Sequence, residues 1–200
     1  MSDHTIVHRD AAPLAPAVRA PIVPVRALWV VGAVLALLVA AIAGNWLWAL
    51  MFFHVAGGVM WTGIDLFMGL ILGPIIGRLD VPARMAFSSR FMPKMLLLMP
   101  TLVVCTLASG WQVARHLGNL TVAYPRHWWI VASFVVVAVL TLIALGLLEP
   151  ANLQVLFELR KPEPNGPLIG TLMHRYVYAA GVIGVMQVAT LVIMTRLATW

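Results

Sequence analysis

The sequence predicts an all-α integral membrane protein: five transmembrane helices, of which four form a bundle core and one is an N-terminal addition. Three observations lead there. Of the 200 residues, 62% are apolar and only 10% are charged, against about 25% charged in an ordinary soluble domain, and the mean hydropathy is +0.96. Runs of about twenty apolar residues, each able to cross roughly 30 Å of hydrocarbon, recur along the chain. Finally, the chain lacks the apolar–polar alternation of a β-barrel, and an open sheet would leave backbone groups unpaired in lipid.

Residues 1–26 are rich in Ala and Pro without helical or strand period, which reads as a disordered cytoplasmic tail. Residues 27–200 form the transmembrane domain. The first span, 27–44, ends in Ala41-Ile42-Ala43, a pattern that precedes signal-peptide cleavage. The long segment ahead of it favours an uncleaved signal-anchor helix. Further spans are expected at 47–77, 92–116, 127–148 and 168–197. The second and fifth exceed the bilayer thickness, so they tilt or project beyond it, and Pro74 bends the second. Between the last two spans, "EPANLQVLFELRKPEPNGP" reads as a connecting loop, within which "NLQVLFEL" suits a short amphipathic helix on the membrane surface.

Charge orients the bundle. The formal net charge of +6 is not a nucleic-acid signature, because the basic residues are scattered beside apolar spans without a binding motif. With the N-terminus inside, Arg9, Arg19, Arg26, Arg78, Arg84, Arg90, Lys94, Arg160, Lys161 and Arg175 all fall on the cytoplasmic side. Only Arg115, Arg126 and Arg196 of the 13 basic residues fall outside. This asymmetry predicts N-terminus in, C-terminus out. Trp46, Trp48, Trp111, Tyr124, Trp128, Trp129 and Trp200 gather at the outer interface, where amphipathic rings are at home. The lone Cys105 has no disulfide partner and no second thiol for a metal site. Nucleotide-binding, zinc-protease and nucleophile-elbow patterns are absent from the sequence.

The chemistry-bearing stretch is "HVAGGVMWTGIDLFMG", His54 to Gly69. At roughly 100° per residue, His54, Gly57, Gly58, Trp61, Asp65 and Gly69 share one helix face. Small residues there admit another backbone or a flat ligand, and Gly69, Gly73 and Gly77 continue the stripe at four-residue spacing. The same Gly-rich face is thus a candidate for homo- or hetero-oligomer contacts. An intramembrane histidine can bond a neighbouring helix, hold a proton, or ligate a metal or haem iron. Asp65, about 17 Å further along the axis, has to be protonated or paired; Thr62, Lys94 and Arg175 are the candidate partners. His116 and His127 lie at the same depth as His54 and are candidate second ligands. Met51 is one turn away, His174 belongs to the opposite side, and His4 and His8 are in the tail.

"HVAGGVMWTGIDLFMGLILGPIIGR", with its His-x6-Trp spacing, resembles the first core helix of the HemJ/CopD-like small bacterial integral membrane proteins. "RFMPKMLLLMPTLVVCTLASGW", "HWWIVASFVVVAVL" and "MHRYVYAAGVIGVMQVATLVIM" look like the following three. The resemblance covers residues 46–197. It implies a multi-pass protein of the bacterial cytoplasmic membrane built as a four-helix haem b bundle. His54 would ligate iron, Gly57 and Gly58 would clear space, and Trp61 would pack at the porphyrin edge. The expected function is b-type haem binding with electron transfer near the periplasmic face, to a quinol, a periplasmic cytochrome or other subunits of a redox complex. The alternative is a non-haem helical subunit or small transporter, in which His54 and Asp65 are packing bonds or a proton or metal path. A protoporphyrinogen-oxidase-like enzyme ranks third, since "WWIVAS" lacks the lysine that HemJ proteins carry there.

Overall fold

The computed structural model of the protein describes residues 25–199. The tail through residue 24, with His4, His8, Arg9 and Arg19, and the terminal Trp200 lie outside them. Among the described residues there are five helices long and apolar enough to cross a membrane, and no strand: α1 (Val25–Ala43), α2 (Leu47–Arg78), α3 (Val81–His116), α4 (Arg126–Glu158) and α5 (Gly166–Ala198). Short connections make successive helices antiparallel. One end of the bundle therefore carries the Gly44–Trp46 turn and the α3–α4 connection, and the other carries Asp80 and the α4–α5 connection.

Local signals set these boundaries. Asn45 takes a left-handed conformation, φ 52°, and its neighbours' amides close on Ala40 and Ala41 carbonyls, so the chain reverses within three residues. Asp80 caps α3 by accepting from the Ala83 amide at 2.9 Å, and Asn165 caps α5 by accepting from Leu168 at 3.0 Å. Arg84 reaches back to donate to the Gly77 and Leu79 carbonyls at 3.4 and 2.9 Å, closing the last turn of α2.

Two boundaries differ from expectation. Helix α3 starts at Val81, not at residue 92, so Arg84, Arg90 and Lys94 lie on a helix and not in a loop; the Asp80 cap followed by Pro82 in the first turn is the cause. Helix α4 runs on to Glu158. "NLQVLFEL" is neither a loop nor a surface helix: Ala151, Asn152, Val155, Leu156 and Glu158 are buried, packed against α3 and α5.

Both departures from α-helical regularity precede a proline. Residues Met68–Leu72 of α2 and Ala144–Leu148 of α4 form π-turns, in which the Gly73 amide bonds Met68 O and the Glu149 amide bonds Ala144 O. Pro74 and Pro150 follow directly. A proline lacks the amide for the i−4 bond, and a locally wider turn accommodates the interruption. The expected disturbance at Pro74 is therefore present as a π-turn.

The core sits among α2, α3, α4 and α5, with Met68, Met92, Leu140, Val155, Ile169, Met173 and Ile183 almost wholly enclosed. Helix α1 buries only Leu38 and Ala41 and leans on α3 and α2. It is an addition to a four-helix core, as expected. Glycines set how closely α2 approaches its neighbours. A Cβ on Gly69 would lie 2.2 Å from Gly181 Cα, and one on Gly73 would lie 2.4 Å from Val177 Cγ1. A Cβ on Gly57 would lie 2.6 Å from Thr106 Oγ1.

Candidate functional site

The α2 stripe divides into two halves with different neighbours. Toward the Asn45 end it faces α3. His54, half-buried, places Nδ1 2.9 Å from the Thr106 carbonyl oxygen. A carbonyl only accepts, so Nδ1 carries the proton and Nε2 keeps its lone pair. The ring lies against Gly110, where a Cβ would come within 2.6 Å of Nδ1 and Cε1. Thr106 donates its own hydroxyl to Leu102 O at 2.7 Å, and Ser109 bonds the Cys105 carbonyl. Cys105 is buried.

The ligand set expected around haem is only partly assembled. An imidazole held by Nδ1–H on a carbonyl, with Nε2 free, is the oriented form an axial ligand needs. The slot beside it is closed. Thr106 fills the space beside Gly57 and approaches Gly58, where a Cβ would meet Thr106 Cγ2 at 3.7 Å. Trp61 is buried within the main core. His116 ends α3 and His127 lies in the first turn of α4; both are exposed, and the His127 ring meets Trp128 edge-on at 6.1 Å. Met51 is exposed as well. Among the described residues no three His, Cys, Asp or Glu side chains converge on a common point. The residues thus fit a single axial imidazole but not an enclosed porphyrin between α2 and α3.

Toward the Asp80 end the stripe faces α5, and here the polar groups are enclosed. Asp65 is 1% exposed. Its Oδ2 accepts from Gln187 Nε2 at 3.4 Å, and Gln187 is itself 3% exposed. The expected ion-pair partners are elsewhere. Lys94 and Arg175 are both exposed, and neither pairs with Asp65; the one ion pair printed by the described geometry joins Lys161 to Glu158 at 2.5 Å. Thr62 donates to Gly58 O on its own helix at 2.8 Å. The Trp61 indole N–H interacts with the Asp65 carboxyl but misses hydrogen-bond geometry, and Gln187 Oε1 has no donor.

Residues beyond the stripe complete this interior. Tyr176 of α5 is 3% exposed and lies within electrostatic reach of both Asp65 and Glu149. Glu149, half-buried, follows the π-turn of α4. Asn152, one turn further and fully buried, grips α3: in the amide orientation that satisfies both groups it donates to Met92 O at 3.3 Å and accepts from Leu96 N at 3.2 Å. The sequence reading missed Gln187, Tyr176, Glu149, Asn152, Thr106 and Gly110. A lone amide in the apolar run "GVMQVATLVIM" is the clearest signal that was available, since polar side chains inside spans bond across helices.

The glycine face expected to mediate oligomers is occupied within the chain: Gly57 by Thr106, Gly69 by Gly181 and Gly73 by Val177. His174, placed at the opposite end from His54, stacks on Tyr178 with ring centroids 6.4 Å apart. No protein-family model matches the chain, and no curated protein or solved structure matches it either.

Proposed function

We propose that this protein is a multi-pass component of the bacterial cytoplasmic membrane, N-terminus inside and C-terminus outside, that handles protons at Asp65. It would act as a small transporter or as the membrane subunit of a larger complex. One observation carries the reading: a carboxyl 1% exposed inside the bundle, bonded to an amide and to no cation. An unpaired anion there is costly, and intramembrane carboxyls kept at such cost characterise proton pathways. The one-sided distribution of Lys and Arg supports the orientation. The test is proton flux into proteoliposomes under an imposed membrane potential. Wild-type protein acidifies or alkalises the lumen, and Asp65→Asn, which keeps the hydrogen-bonding shape, loses that flux. Equal flux in both ends the reading.

The His54–Thr106 bond favours a second reading, a b-type haem protein passing electrons to a quinol or a periplasmic cytochrome. The HemJ/CopD-like resemblance of "HVAGGVMWTG" supports it. His54 Nε2 would ligate the iron, with His116 or His127 as the opposite ligand and Gly57, Gly58 and Trp61 beside the ring. The haem would supply one-electron chemistry, while the Thr106 carbonyl holds the imidazole in the ligating tautomer. Purified protein then shows a Soret band with sharp bands on dithionite reduction, and His54→Ala removes them. A featureless spectrum removes the haem instead.

A further inference from the structure

The π-turn of α4 opens onto a cavity of about 10 Å³ lined by Trp61, Met99, Val103, Ala144, Glu149 and Tyr176, room for about one water molecule. Three polar side chains meet there without bonding one another. The Trp61 Nε1 is buried with no acceptor in hydrogen-bond geometry. Tyr176 and Glu149 have no hydrogen bond to any described residue. A water with two to four polar partners is the ordinary way such groups are satisfied. Tyr176 also senses Asp65, so it stands between the two carboxyls. Glu149 lies nine residues before the end of α4 at Glu158, and Asp65 lies thirteen before the end of α2 at Arg78. Glu149 is therefore the carboxyl nearer the Asp80 end.

We infer that this cavity holds one ordered water, and that Asp65, Tyr176, the water and Glu149 form a proton relay between the bundle interior and the Asp80 end. In one transfer the Asp65 O–H proton goes to the Tyr176 oxygen as the phenol passes its own proton to the water. The water in turn gives a proton to the Glu149 carboxylate. Asp65 ends as carboxylate and Glu149 as carboxylic acid; phenol and water are regenerated, and no electron moves. The inference deepens the reading of Asp65 as a proton-handling group and rests on it.

Infrared difference spectroscopy on the full chain in lipid nanodiscs tests it by following deuterium exchange at the carboxylic acid C=O bands. Asp65→Asn and Glu149→Gln each delete one band. Tyr176→Phe slows exchange at the Asp65 band about tenfold, the factor carried by one lost hydrogen bond. Ala144→Val, which fills the cavity without removing a polar group, slows it likewise and stands in should the tyrosine variant fail to fold. Unchanged exchange at Asp65 in Tyr176→Phe and Ala144→Val overturns the relay while leaving Asp65 as a proton carrier. No band lost in Asp65→Asn overturns the proton reading itself. Sodium ions that suppress the Glu149 band at fixed pH overturn the water and identify a cation in its place.

Discussion

The two halves of α2 carry the same kind of stripe and put it to different uses. Near the Asn45 end, His54 bonds a backbone carbonyl of α3 and stays half-exposed. Near the Asp80 end, Asp65 meets a side chain of α5 and is sealed. The glycines follow the division. Gly57 makes room for a threonine side chain, whereas Gly69 lies against the backbone of Gly181. A side chain can rotate away from an added methyl group and a backbone cannot, so the lower half is the rigid one. Glycine spacing alone therefore does not separate a slot for a ligand from a seat for another helix; the residue opposite decides.

Substitutions can break this contrast. Gly69→Ala has the largest expected effect, because its Cβ would sit 2.2 Å from Gly181 Cα. Separating the two helices costs about 3 kcal/mol, read as a lower midpoint in detergent-titrated unfolding. Gly181→Ala, whose Cβ would lie 3.0 Å from Gly69 Cα, costs less; equal losses would show that the asymmetry is not real. Asn152→Leu comes next. It removes the grip on Met92 O and Leu96 N and lowers stability by about 2 kcal/mol, the usual cost of leaving buried polar groups unpaired. In the upper half, His54→Ala loses a single bond to Thr106 O, about 1 kcal/mol. Gly110→Ala displaces the same ring and matches it. A loss in His54→Ala as large as that in Gly69→Ala would erase the distinction between the halves. The smallest effect has the opposite sign. Gly63 has open space around it, and Gly63→Ala raises helix stability by about 0.5 kcal/mol through backbone entropy.

The spans themselves were legible because twenty-residue apolar runs leave few alternatives in a chain of this composition. Both ends of α2 were placed within one residue, and α1 was rightly set apart from the core. The missed parts were polar. "VPARMAFSSR" lacks the hydropathy of a span, so α3 was started too late, although Asp80 and Pro82 mark a helix start. "LLEPANLQ" looked like a break because a proline inside a helix usually ends it; the π-turn before Pro150 is what lets α4 continue. His54 and Asp65 were visible as ionisable residues in apolar surroundings. Their partners were not, since a carbonyl at Thr106 and an amide at Gln187 become meaningful only when the helices are brought together.

The surplus residue in each π-turn also sets the azimuth of everything beyond it. At 3.6 residues per turn, one residue is worth roughly 100° of rotation about the axis. Removing a single residue from Ala144–Leu148 would swing the rest of α4 by that angle, carrying Asn152 off the α3 backbone and Val155 out of the core. The seating of that half-helix is thus held by a winding defect as much as by the side chains it presents.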